Sequence, residues 1–335
     1  MGVWARRAVT ALFGSGLGRP LLALCSAAGG RCFQVLTYHR INDDGHPLFP
    51  AVPVQRFARQ MEFVAAHFRV LPLAELVEGA AAGTLPVGAL GISFDDGYRD
   101  NYAHAFPVLV RLRLPATVFL VSGSIESGSP PWHDHVFDAF LRTRAERFVT
   151  AGRSFPLDSL AGRRRALETV LPGLKRRAPS ERLEAVGRLR RELGVDGPPG
   201  QAYDMLSWDQ VREMAAGGID VGAHTVSHSI LTTLAPAEFD SEVADCKTTI
   251  EQRLGRCVPL FAYPNGGPGD FDEGAKAALR RIGFRAAFTA LQGTNRGGDP
   301  LELRRVGLWD DDPRVDGLRL ALERLTRPRA QRPRG

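Results

Sequence analysis

The chain has 335 residues, 44% hydrophobic and 24% charged, which suits one large α/β domain with insertions and excludes collagen-like, coiled-coil and largely disordered classes. A formal net charge of +6 comes largely from Arg163-Arg164-Arg165, Arg190-Arg191 and the C-terminal tail. No nucleic-acid motif or aromatic interleaving accompanies it, so a solvated surface, or contact with an anionic polymer or peripheral membrane, is expected rather than nucleic-acid binding.

Residues 1–30 read as a weakly apolar leader, in which Gly14, Gly16, Gly18, Arg19 and Pro20 interrupt any signal-peptide core. No later run is long and apolar enough to span a bilayer, and a cytoplasmic or membrane-surface location is expected ahead of export. Cys25, Cys32, Cys246 and Cys257 lack both C-x-x-C pairing and zinc-finger spacing, and read as small buried hydrophobes.

From residue 33 the chain alternates strands and helices. Phe33 to Tyr38 reads as a buried strand, and Val54, Phe57, Met61, Val64 and Phe68 mark a helix by their spacing. Ala89 to Phe94 predicts a second strand, Tyr98 to Leu112 a helix, and Ala116 to Val121 a third strand of the kind covered on both faces. The rhythm lapses over about 124–200 into an arginine-rich helical insertion, including helices at Ala161 to Leu171 and Ser180 to Leu193. It resumes with a capping box at Ser207 and Gln210, a strand Ile219 to Ala223, and a helix opened by Pro236. A strand Val258 to Tyr263, a helix Phe271 to Ile282 and a strand Arg285 to Thr289 complete the pattern, and residues 326–335 read as a basic tail. A single domain over residues 31–325, a parallel barrel or doubly wound sheet, follows; its working residues should lie at the C-terminal ends of strands.

The polar clusters fall there. Asp95-Asp96-Gly97 follows the strand 89–94, and two adjacent carboxylates cannot both be buried without a cation or other donors. His224 and His228, four residues apart after the strand 219–223, can face one metal, and with Asp96 would form a two-His, one-carboxylate site. Pro264-Asn265-Gly266 follows the strand 258–263.

Ser93-Phe94-Asp95-Asp96-Gly97, His224-Thr225-Val226-Ser227-His228 and Phe261-Ala-Tyr-Pro-Asn-Gly266 resemble the three leading motifs of the polysaccharide deacetylases, also called NodB-homology domains or carbohydrate esterase family 4. The resemblance covers roughly residues 33 to 310, outside most of the insertion. It implies an α/β fold, a distorted (β/α) barrel, here with a helical insertion, and a hydrolase that removes acetyl groups, N-acetyl ahead of O-acetyl, from a polysaccharide or glycoconjugate. It further implies Asp95 as general base, Asp96, His224 and His228 as ligands of a divalent metal, usually Zn²⁺, and the backbone N–H of Asn265 as an oxyanion donor.

Two departures stand out. Many members carry an Arg in the third motif that steadies the catalytic Asp, where this chain has Ala262; no His follows His228, so the family's late Leu-x-His motif is missing. His39, at the end of the first strand in a Tyr-His pair similar to that of the poly-N-acetylglucosamine deacetylases, is the replacement the resemblance implies for the general acid. Trp132, His133, Asp134 and His135 read equally as a sugar-lining cluster or a helix start around a core Trp. The alternative function is a module on the same fold that binds metal or carbohydrate without turnover. Oligomeric state is not readable.

Overall fold

Apolar runs covered on both faces become the strands of one parallel sheet. The structure, a computed structural model, describes residues 3–326. Its strands are β1 (Gln34–Tyr38), β2 (Arg69–Val70), β3 (Ala89–Phe94), β4 (Ala116–Leu120), β5 (Arg147–Thr150), β6 (Arg153–Pro156), β7 (Ile219–Ala223), β8 (Leu260–Ala262), β9 (Ala286–Gln292) and β10 (Leu303–Arg305). The main sheet runs β1-β3-β4-β7-β8-β9-β10, all parallel, with β2 beside β3. It closes on itself just past β10, where the Val306 N–H donates to Val35 O at 2.7 Å and the Thr37 N–H donates to Val306 O at 3.1 Å. The result is the expected distorted (β/α) barrel, in which β8 and β10 are only three residues long.

The interior admits little extra volume. A Cβ added at Gly222 on β7 would lie 2.3 Å from Cδ1 of Phe119 on β4. Gly222→Ala is therefore expected to destabilise the fold by about 1–3 kcal/mol, because a close-packed core must move to admit a methyl group; thermal unfolding measures it.

Several boundaries differ from the sequence reading for local reasons. β8 is only three residues long because Pro259 has no N–H to donate and uses its carbonyl instead, accepting from the Arg285 N–H at 2.8 Å. The helix expected from Tyr98 starts as a π-turn, Asn101–Ala105, before the α-helix Phe106–Leu112. That turn serves the site, since Asn101 Nδ2 donates to the His39 carbonyl at 2.8 Å.

Between β4 and β7 the insertion builds its own core, in which Trp132, Val136, Phe140, Phe148, Phe155 and Val186 pack together. Besides the helices Leu160–Lys175 and Pro179–Glu192 it contains a helix Trp132–Arg142 and the antiparallel hairpin β5–β6. The buried part of Arg163 ties these together, donating to the carbonyls of Phe140, Leu141, Thr143 and Leu157.

The first residues are helical, Val3–Gly14 and Gly18–Ala28, and lie against the helix Pro313–Glu323. Leu22 and Cys25 join the main core, and Cys32 and Cys246 are also buried, whereas Cys257 is exposed. Among the described residues no single helix is long and apolar enough to cross a membrane.

Candidate active site

The parallel strands deliver their C-terminal ends to one mouth of the barrel. After β3, the Asp95 N–H donates to Tyr38 O at 3.0 Å, and the chain turns through Asp96 (φ 72°) and Gly97 (φ 87°). A side chain at Gly97 would strike Leu120 at 2.9 Å, so the Asp-Asp-Gly turn needs its glycine. Thr225 (φ 65°), His228 (φ 56°) and Asn265 (φ 60°) also occupy the left-handed region. For β-branched Thr225 this is a costly conformation, held because its Oγ1 accepts from the Ser229 N–H at 3.0 Å.

Asp96, His224 and His228 converge: the Nε2 atoms of His224 and His228 stand 3.5 and 3.3 Å from Asp96 Oδ1. All three are buried, and one ligand atom from each lies within 4.8 Å of the others. His224 Nδ1 donates to the Ala262 carbonyl at 2.7 Å, which turns the Nε2 lone pair toward Asp96. Asp96 Oδ1 is buried with no hydrogen-bond partner. Burial, then the charges of Asp95 and Asp134, push the Asp96 carboxyl well above the usual carboxylate range. Desolvation drives His224 down to about 4, against the pull of Asp95, and drives His228 well below the imidazole range. Two neutral imidazoles and a carboxylate short of positive charge form a donor set that could hold a divalent cation.

Asp95 is built differently. Burial alone would raise its pKa, but Arg305, followed by His224 and His39, holds it at about 2. The Arg305 guanidinium forks onto it, Nη1 to Oδ1 at 2.6 Å and Nη2 to Oδ2 at 2.8 Å, while Nε donates to Thr289 O at 2.9 Å. Arg305, which the sequence analysis did not single out, takes the place of the Arg absent at Ala262. It arrives from β10, a three-residue strand whose Leu-Arg-Arg sequence has the look of solvated surface charge.

His39 Nε2 lies 3.8 Å from Asp95 Oδ2, with 46% of its side chain open to solvent. Desolvation lowers its pKa, and Asp95 partly offsets this. Asn265 lies across the mouth; its turn is fixed by Gly266, whose N–H donates to Pro264 O at 2.7 Å and where a Cβ would come 2.8 Å from Ala290 N. All six residues singled out from the sequence line one cleft of about 360 Å³, with Arg305.

The cleft walls include Phe49, Trp132, His133, Phe137, Lys175 and Trp309. Phe49 and Phe137 stack at 5.1 Å, and His133 packs on His228 with ring centroids 4.7 Å apart. Of the polar-aromatic cluster, Trp132 and His133 therefore reach the cleft, whereas buried Asp134 accepts from the Tyr98 hydroxyl at 2.8 Å and His135 approaches Ser129. Trp208 lies outside this cleft and donates to Glu126 at 2.8 Å. A slightly larger cavity of about 380 Å³ lies behind Trp132, beside Arg182 and Glu242, and contains none of the convergent acids and histidines.

Comparison with known proteins agrees with this geometry. The family model described as polysaccharide deacetylase matches residues 82–287. Among curated proteins, the chain is 23% identical over 202 residues, 60% of its length and 44% of the relative's, to YxkH of Bacillus subtilis (strain 168), which is provisionally named a polysaccharide deacetylase. It is 35% identical over 85 residues, 25% of its length and 29% of the relative's, to the poly-beta-1,6-N-acetyl-D-glucosamine N-deacetylase of Staphylococcus epidermidis. The chain thus matches under half the length of these relatives. The Streptococcus pyogenes deacetylase PplD, solved with acetate, superposes with a TM-score of 0.60 at 17% identity, covering 87% of this chain and 98% of that one. IcaB from Ammonifex degensii gives 0.56 at 22% identity, covering 88% and 98%. At such identities the likeness is one of fold. The family match, by contrast, spans more than half of the sequence and takes in both the Asp95-Asp96 turn and the His224–His228 loop, so the chain belongs to the polysaccharide deacetylase family.

Proposed function

We propose that the chain is a metal-dependent hydrolase that removes acetyl groups, N-acetyl in first place, from a polysaccharide or glycoconjugate. The observation that carries this reading is the division of labour between adjacent carboxylates: Asp95 is kept anionic by Arg305, while Asp96 is left facing two neutral imidazoles. A binding module has little use for the first of these. The name of the staphylococcal relative favours an amide substrate.

The residues fit a metal, since buried Asp96 Oδ1 lacks any donor and both imidazoles are held neutral. Asp96, His224 and His228 would hold it, and a zinc ion there would supply Lewis-acid polarisation of the acetyl carbonyl and would acidify water. Asp95, as general base, takes the proton of the attacking water. Arg305 fixes both carboxylate oxygens, so one lone pair stays aimed into the cleft. The Asn265 N–H donates to the oxyanion developing on the former carbonyl. His39, 3.8 Å from Asp95, hands a proton to the leaving nitrogen, and its open face leaves room for the sugar. Phe49, Phe137 and Trp309 offer apolar surface to sugar rings.

Acetate release from acetylated hexosamine oligosaccharides tests the reading. Release that a chelator abolishes and added Zn²⁺ restores is the expected result. Protein carrying stoichiometric metal yet releasing no acetate from any substrate would return the choice to a binding module. His39→Gln is expected to lower kcat by about a hundredfold or more without loss of bound metal, the effect of removing a general acid; single-turnover kinetics with metal quantitation checks it.

A further inference from the structure

One side of the barrel leaves large apolar side chains in solvent. The helices Val3–Gly14 and Gly18–Ala28 pack along Pro313–Glu323, and there Leu17 is 62% exposed, Leu24 65%, and Leu322 and Leu325 47% each. With Trp309, 74% exposed, these make five of the ten exposed large hydrophobic side chains among the described residues, so the apolar surface is concentrated rather than scattered. Val315, Leu318 and Leu322 line a shallow groove on the same helix.

The segments that adjoin this face carry an excess of positive charge. The helix pair contains no Asp or Glu but carries Arg6, Arg7 and Arg19. Residues 327–335, which continue directly from the C-terminal helix, add Arg327, Arg329, Arg332 and Arg334 and no acid. The acids at this face are already matched: Asp310 by Arg6, Asp311 by Arg56, Asp312 by Arg314, and Asp316 and Glu323 by Arg319. The helix pair is apolar enough in combination to resemble a membrane span, but its 105° bend leaves two short helices folded against the protein.

We infer that this face docks on an anionic bilayer surface. Leu17, Leu24, Leu322 and Leu325 enter the boundary between headgroups and acyl chains, while Arg19 and the tail arginines meet lipid phosphates. Trp309, at headgroup level, anchors the end of the face where Arg6 holds the neighbouring Asp310 at 3.0 Å. Trp309 also lines the catalytic cleft, so docking brings the cleft mouth to the bilayer. A second copy of the chain is a poorer occupant, because a two-fold contact would set the same arginines against themselves.

The test uses the full chain and sedimentation with vesicles of phosphatidylcholine alone or mixed with phosphatidylglycerol. Binding to the mixed vesicles that weakens with salt is expected. Leu24→Glu combined with Leu325→Glu should weaken it at least about tenfold, and replacing the four tail arginines with Gln should weaken it on the order of a hundredfold. Both sets of changes lie at exposed or tail positions, and circular dichroism confirms that the variants fold. Absence of binding to either vesicle, equal binding to both, or variants that bind like the parent chain would overturn the inference. So would a dimer in ultracentrifugation that the double Leu variant dissociates, with no vesicle binding. The readout is binding, so it stands apart from whether acetate is released.

Discussion

Asp95→Asn is expected to lower kcat by about a hundred- to ten-thousand-fold while leaving metal content close to that of the parent protein and lowering the melting temperature, because buried Arg305 loses its counter-charge. The range is what a positioned general base contributes. Asn keeps the volume of the side chain and one oxygen for Arg305, but it cannot take a proton from water. Asp96 Oδ1 stays 3.3 and 3.5 Å from the imidazoles of His228 and His224, so the donor set is intact. Metal analysis of the purified variant alongside single-turnover kinetics separates the outcomes. Loss of both metal and turnover would make Asp95 a ligand; retention of turnover would remove it from the chemistry.

Arg305→Ala carries the second large effect, on activity and stability together. Removing one partner of a buried ion pair leaves the other uncompensated, at a cost of about 3–5 kcal/mol, and a base no longer fixed in direction loses on the order of a hundredfold in kcat. Arg305→Lys keeps the charge but not the fork of 2.6 and 2.8 Å bonds, and is expected to recover stability better than rate. A pH profile tells positioning from bulk damage. Asp95 titrates at about 2 in the folded protein against an ordinary 3.8, so the pairing stabilises the fold fully above about pH 4 and its contribution disappears as pH falls through about 2. Without Arg305, burial dominates and the carboxyl titrates higher, so the acid limb of kcat/KM should begin at higher pH, while the stability that the pairing supplied above about pH 4 is missing from the start. A variant with lowered activity but an unmoved acid limb would show Arg305 to be only structural.

The barrel and four of its mouth residues were legible because their signals are local. β3 and β7 match the runs read from sequence to the residue, and the Asp-Asp-Gly turn and the His-x-x-x-His loop each follow a strand directly. Arg305 had no such signal: its partner is 210 residues away, and Leu303-Arg-Arg neither alternates nor runs apolar. The β5–β6 hairpin turns through Ala151 and Gly152, both with positive φ, where an Asn-Gly pair would have announced it. The leader hid its helices for a related reason, because Gly14, Gly16, Gly18 and Pro20 break the pattern at the bend between them.

Barrel closure through β1 and Val306 has a consequence for the chain during synthesis. Asp95, Asp96, His224 and His228 are all made before β10, yet the guanidinium that orients Asp95 is delivered only when the last strand docks beside β9. A nascent or truncated chain ending before residue 303 would hold its donor set with an unneutralised buried acid beside it. Orientation of Asp95 is thus coupled to the docking of β10, and the proposed base also penalises every form of the barrel in which β1 and β10 have not yet met.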